Sequence, residues 1–478
     1  LILTLTMKGE SVVKSIDPRL CLHTPLENIF FFFWYPLFSF DNTLLVEIVK
    51  ILYVLLSFYM VSKFFGIFLD VKYAILASFL FIFFPSHDST VYWFLGQYIA
   101  LSMAFYLFAY YLAHRNRLIA AFIMALAASF LSYGSTAVAA PLFLLFILKK
   151  DVRKGLTIFM PNIIYIAYYF FVIRLMPGAI NRFSADINIL SFIRQLALQV
   201  VTFCDATLGP SMWLKICSSI SQLSILSVLI GVAIMYLFIR SFKEKAAGRY
   251  DPKLVASLIV MALVSFALFA MTGAYPQLAF NLGNRATIFG SLLIVYLIIG
   301  LPAPRGFKIV VLSVVIFSIL GISDHWKAWS VRQKAIFTEM KYNPGLQALK
   351  DGQVIFISGN QYSKLGPFSH IEFFSEGGPD CAVNYALGKQ LSIRPINGRF
   401  NYSDGYIIDT KYGDSLEVKD SILVYDSEKN SLFRLKKEGI NDYIASLPPD
   451  IRHWTQLPAF EPLRKAAVLL MPRLKYAL

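Results

Sequence analysis

The chain has 478 residues, 57% of them hydrophobic, 16% aromatic and only 15% charged, with a formal net charge of +15. Soluble domains carry roughly 25% charged residues, so this composition excludes an ordinary water-soluble protein and suits a lipid environment. It also argues against nucleic acid as a partner. The Lys and Arg excess is expected in short loops between membrane spans, not on a basic surface interleaved with aromatics. Cys21, Cys204, Cys217 and Cys381 show no CxxC spacing, so neither a disulfide framework nor a zinc site is expected.

In chain order, residues 1–43 read as an external segment. Its stretch 26–40 is interfacial or re-entrant, because Phe30 to Tyr35 surround the headgroup-seeking Trp34 and Pro36 follows. A chain that opens on Leu1 rather than Met is expected to lack its natural start. A spanning helix needs about 20 apolar residues; the candidates are 44–65, 71–84, 94–113, 118–133, 136–148, 156–176, 214–239, 254–272, 287–301 and 309–322, several of them short. The segment 189–208 is apolar but carries Arg194, Gln195 and Asp205, which predicts a helix lying in the membrane interface.

Four basic stretches fall on one side when these spans alternate: His114 to Arg117, Lys149 to Lys154, Arg240 to Lys253 and Arg305 to Lys308. The positive-inside rule makes that side cytoplasmic. Residues 1–43, the loops 85–93, 177–213 and 273–286, and everything after 322 are then external. From 323 the texture changes. A helix over 324–342 places Trp326 and Trp329 on one face, and strand-like runs follow at 354–358, 406–408 and 422–425. The predicted fold is a polytopic α-helical membrane protein of about 10–11 spans with a C-terminal external α+β domain. Its parts are 1–43, 44–322 and 323–478.

Chemistry at a membrane surface needs polar groups near the external helix ends. The loop Pro85 to Trp93 packs His87, Asp88 and three hydroxyls between two spans; Asp88 there suits a base or a metal contact, such as Mg or Mn. The N-terminal segment offers Glu10 and Asp17 as carboxylates able to deprotonate a hydroxyl. Asn284 and Arg285 open a late span, where a guanidinium and helix N–H groups favour phosphate. Arg182 lies in the loop from Pro177, with loop solvation the simpler account of it. No GxxxxGK[ST], HExxH, GxSxG or DxD motif occurs.

The run Phe84 to Asp88 followed by Trp93 and Gly96, the Asn284-Arg285 start of a late span, and the Trp326/Trp329 pair before an external domain together resemble the GT-C superfamily of membrane glycosyltransferases. That resemblance extends to the layout of most of the chain. It implies a polyprenyl-phosphate sugar donor and a glycan, lipid or protein acceptor. It implies a first-loop carboxylate as base, here Asp17 with Glu10 in reserve, and Asp88 as support. It implies Arg285 against the lipid phosphate, with Asn284, His87, Trp93 and Arg182 around the substrate. Leu1 to Leu5 would be the remnant of a first span. Neither Asp17 nor Glu10 sits in the acidic pair usual in that superfamily. The expected location is a bacterial inner or plasma membrane, with membrane lipids as surroundings. The alternatives are a secondary transporter or flippase, for which Glu47 and Lys50 are the intramembrane charges, and a non-catalytic scaffold.

Overall fold

The structure, a computed structural model, describes residues 24–34, 44–175, 188–241, 251–272, 276–300, 304–375, 379–410 and 413–470. Glu10, Asp17 and Arg182 lie outside them. The described residues belong to two compact units, one ending at Ile322 and one beginning at Ser323.

The first unit is helical: α1 (Pro25–Trp34), α2 (Leu44–Phe65), α3 (Val71–Ile82), α4 (Phe94–His114), α5 (Leu118–Leu131), α6 (Thr136–Leu148), α7 (Val152–Leu175), α8 (Ile189–Thr207), α9 (Pro210–Ile220), α10 (Ile225–Ser241), α11 (Pro252–Thr272), α12 (Ile288–Gly300) and the first part of α13 (Arg305–Lys341). Among the described residues seven stretches are long and apolar enough to cross a membrane: 44–65, 94–114, 152–172, 189–220, 252–272, 282–300 and 305–341.

Three of the shorter expected spans, 71–84, 118–133 and 136–148, appear as helices of 12, 14 and 13 residues, and three other expectations change. At about 1.5 Å per residue these short helices fall below the roughly 30 Å of a hydrocarbon layer. The expected span 214–239 is broken between Ile220 and Ile225, after a serine-rich turn. The expected span 309–322 and helix 324–342 are one 37-residue helix, α13, because neither Gly nor Pro interrupts the join after Gly321. The 189–208 segment, expected at the interface, belongs to an apolar stretch of spanning length. Its polar side chains Gln195, Gln199, Thr202 and Thr207 are buried in the bundle rather than turned to headgroups. One polar stripe of the helix thus faces inward, while Arg194 is exposed and Asp205 half-buried.

The bundle is closed by aromatic packing. Tyr110 stacks on Phe146 with centroids 4.3 Å apart, and Phe65 lies parallel to Tyr296. Small residues let helices touch. A Cβ on Gly321 of α13 would overlap the backbone carbonyl of Ser219 on α9. The basic loops gather at one end. Lys149 pairs with Asp251 at 3.5 Å and sits 4.3 Å over the Phe68 ring. Lys154 pairs with Asp151 at 2.7 Å, and that bond holds the Asp151 carboxyl below the usual carboxylate range. The helix directions put the 84–93, 131–136 and 276–288 segments at the other end.

The second unit joins the last turns of α13 to a sheet of order β4-β1-β8-β9. In it β1 (Val354–Ser358) runs parallel to β4 (Ser392–Pro395) and β8 (Ser421–Asp426), and β9 (Ser431–Lys436) is antiparallel to β8. Ile355 and Ile357 of β1 pack against Ile336 and Met340 of α13, while Phe356 packs on the other face against Val424 and Ile440. Burial on both faces explains why β1 reads as an unbroken apolar run. A hairpin of β2 (Tyr362–Leu365) and β3 (Phe368–Glu372), a meander of β5 (Phe400–Ser403), β6 (Tyr406–Asp409) and β7 (Ser415–Glu417), and helices α14 (Pro379–Leu387), α15 (Ile440–Ser446) and α16 (Glu461–Leu470) complete it.

The α9–α13 contact gives a direct test. Gly321→Ala should cost about 1–3 kcal/mol, because its Cβ meets backbone rather than a movable side chain. Gly306→Ala at the open start of α13, where nothing lies within 4 Å, should stay within about 0.5 kcal/mol or gain slightly. Thermal unfolding of the two purified variants compares them, and equal melting temperatures would contradict the close approach.

Candidate functional site

At the non-basic end, α3 stops at Phe83 and the chain turns through Pro85–His87 and Ser89–Tyr92 before α4 begins. Gly96 makes this tight path possible, since a Cβ there would collide with the Ser89 carbonyl. His87 is fully buried between Phe81 and Phe84, and its Nδ1 lies 3.0 Å from the Thr90 hydroxyl. It therefore holds the loop's shape and is not open to a substrate.

Asp88 is 1% exposed and faces Lys215 of α9, itself 0% exposed, at 2.6 Å. The Lys215 ammonium also donates to the Ala279 carbonyl and lies 5.8 Å from the centre of the Phe280 ring. The Asn284 amide donates to Asp88 Oδ1 at 2.5 Å, and its oxygen accepts from the Ser89 hydroxyl and backbone N–H. Thr287 Oγ1 donates to the Ser86 carbonyl at 2.9 Å. One polar knot thus joins three separate segments: the 85–89 turns, α9, and the 276–287 stretch. Further along that stretch, Gln277 is bound to Gln199 and Thr202 of α8.

A divalent cation does not fit Asp88 in this arrangement. Hard cations take several oxygen ligands, and this carboxylate already faces an ammonium. The expected Asp88 metal contact is therefore replaced by an internal cation.

The knot presents Arg285. Its guanidinium donates to the Leu282 carbonyl at 3.0 Å and lies 5.0 Å from the Trp93 ring. It is half-buried and lines a small cavity of about 20 Å³ with Ser132, Tyr133, Gly134, Phe269 and Phe289. Tyr133, Gly134, Phe269 and Phe289 also wall a second cavity of about 170 Å³, whose remaining lining includes Tyr165, Tyr169, Phe170, Leu268 and Thr272. A cation thus lines a small cavity that shares a wall with a larger, mostly apolar one.

His87, Asp88, Trp93, Asn284 and Arg285, chosen from separate loops, come together here; the other three candidates fall outside the described residues. Two groups were not among the candidates. Lys215 was hidden inside what read as an apolar span, although a lone Lys there is itself a signal. Glu27, in the first turn of α1, was passed over for its aromatic neighbours. Its helix packs on the bundle through Leu26 and Phe30.

In class, the described residues form a helical bundle with seven apolar stretches of membrane-spanning length, a buried ion pair and an arginine-lined cavity, together with a C-terminal unit built on a small sheet. Comparison with known proteins adds no relative: no family model, no curated protein and no solved structure matches it.

The ion pair makes a quantitative prediction. Lys215→Met leaves a buried carboxylate without its cation and should destabilise by about 3–5 kcal/mol. Lys215→Met combined with Asp88→Asn removes both charges and should recover most of that loss. Unfolding of the single and double variants measures it, and equal losses would show that the two charges are not coupled.

Proposed function

We propose that the chain is an integral membrane glycosyltransferase that moves a sugar from a polyprenyl-phosphate donor to a glycan, lipid or protein acceptor at the external face of a plasma or bacterial inner membrane. The GT-C resemblance and one observation support this. Arg285 lines a small cavity that shares four wall residues, three of them aromatic, with a larger apolar cavity, and a prenyl phosphate combines an anionic head with an apolar chain. A guanidinium fork suits phosphate oxygens, and aromatic walls suit the chain. In this reading the shorter helices complete a domain of about 10–11 membrane segments, and 323–478 is an external α+β domain.

The reaction displaces phosphate at the anomeric carbon. A carboxylate takes the proton of the acceptor hydroxyl, the acceptor oxygen forms the new bond, and the bond to the lipid phosphate oxygen breaks. Arg285 offsets the charge left on that phosphate. The reading assigns the proton to one of three carboxylates: Asp17 or Glu10 of the N-terminal segment, or Glu27 of α1. Asp88, committed to Lys215 and Asn284, holds the site's shape instead.

The runner-up is a flippase for the same lipid, which the buried Lys215–Asp88 charges favour. Purified protein in vesicles separates the two, since a flippase moves lipid-linked sugar across the bilayer without cleaving it.

Transfer from a polyprenyl-phosphate sugar should fall about 10²–10³-fold in Arg285→Ala, with poor rescue by Arg285→Lys, which lacks the fork. One of Asp17→Asn, Glu10→Gln and Glu27→Gln should lose about 10²–10⁴-fold. Near-normal rates in all of these variants would sink the catalytic reading. Orientation is checked by cysteine labelling of intact cells: Lys245→Cys should be protected, and modification from outside would invert the assignment.

A further inference from the structure

We propose that Lys215 is a positioning residue for the anion site, its buried ammonium fixing the turn that carries Arg285; this rests on the phosphate reading above. The turn from Ala279 to Arg285 contains Asn281 with φ 70°, a conformation that favours glycine and persists elsewhere only when the surroundings hold it. The Asn281 side chain braces the Leu282 N–H from within the turn. From outside, Lys215 grips the Ala279 carbonyl at its start and, through Asp88, the Asn284 amide near its end.

Arg285 follows Asn284 directly, and its guanidinium is aimed by the Leu282 carbonyl of the same turn and by the Trp93 ring. Trp93 in turn closes the segment that Asp88 begins. The two groups that orient the guanidinium therefore both hang from the Lys215–Asp88 pair. A fully buried ammonium bonded to two separate chain segments acts as an internal clamp that a neutral side chain of similar length does not reproduce. Without it the turn relaxes from its strained shape and Arg285 loses its fixed direction.

The test uses the full chain in lipid nanodiscs, with farnesyl phosphate and farnesol as probes. Lys215→Met/Asp88→Asn has no unpaired buried charge and serves as the folded comparison. It should weaken farnesyl phosphate binding about 10- to 100-fold, the factor for losing one charge-assisted hydrogen bond, while farnesol binding and melting temperature stay near normal. Arg285→Ala should show the same selective loss, and adding the double substitution to it should cause no further loss. Should the double variant fail to fold, Asn284→Ala breaks the same link and is expected to give the same selective loss. Normal phosphate affinity in a folded clamp variant, alongside weakened Arg285→Ala, overturns the role of Lys215 and leaves the phosphate reading standing. Normal affinity in Arg285→Ala overturns the phosphate reading itself. Equal loss of both probes also overturns the proposal, since it marks general damage to the cavity.

Discussion

An ammonium and a carboxylate cannot both be taken out of water and left apart. Isolated charges in a low-dielectric interior cost several kcal/mol each after relaxation. Lys215 and Asp88, both essentially without solvent contact, therefore have to meet, and the chain around them has to let them meet. That requirement brings α9 against the Pro85–Asp88 turn and draws the Ala279–Asn284 turn to the same point. The pair is weak evidence for stability, because an apolar replacement of equal volume is often as good. It is strong evidence about geometry, because three segments far apart in sequence share one fixed centre.

The rest of the bundle follows a different rule. Aromatic rings and small residues fill the middle, and the charged loops collect where Lys149 meets Asp251. The two ends are thus chemically unlike. One carries Lys–Asp pairs. The other carries a buried knot beside a small cavity lined by the half-buried Arg285. The proposed substrate chemistry falls at the second end, where a cavity and positive charge coincide.

Much of this was legible beforehand. The apolar content announced the helices, and helix-end loops rich in polar groups picked out Asp88, Trp93, Asn284 and Arg285, which the fold does bring together. Strand-like runs at Val354, Tyr406 and Ile422 appear as β1, β6 and β8. What could not be read has physical causes. Hydropathy sums over a window, so it hides a single lysine and passes over the break after Ile220. It cannot distinguish a helix whose polar stripe faces headgroups from one whose stripe faces a neighbour, and Gln199 and Thr202 belong to the second kind. The pairing of Lys215 with Asp88 spans 127 positions and has no local signature.

Gly134 has a consequence of its own. A Cβ at that position would come within 2.8 Å of the Phe289 ring, and both residues belong to the wall shared by the two cavity spaces. The missing side chain lets the ring lie directly against the backbone there, so the wall shared by the two cavities is closed by a glycine–ring contact, and any larger residue at 134 would push the ring into one cavity or the other.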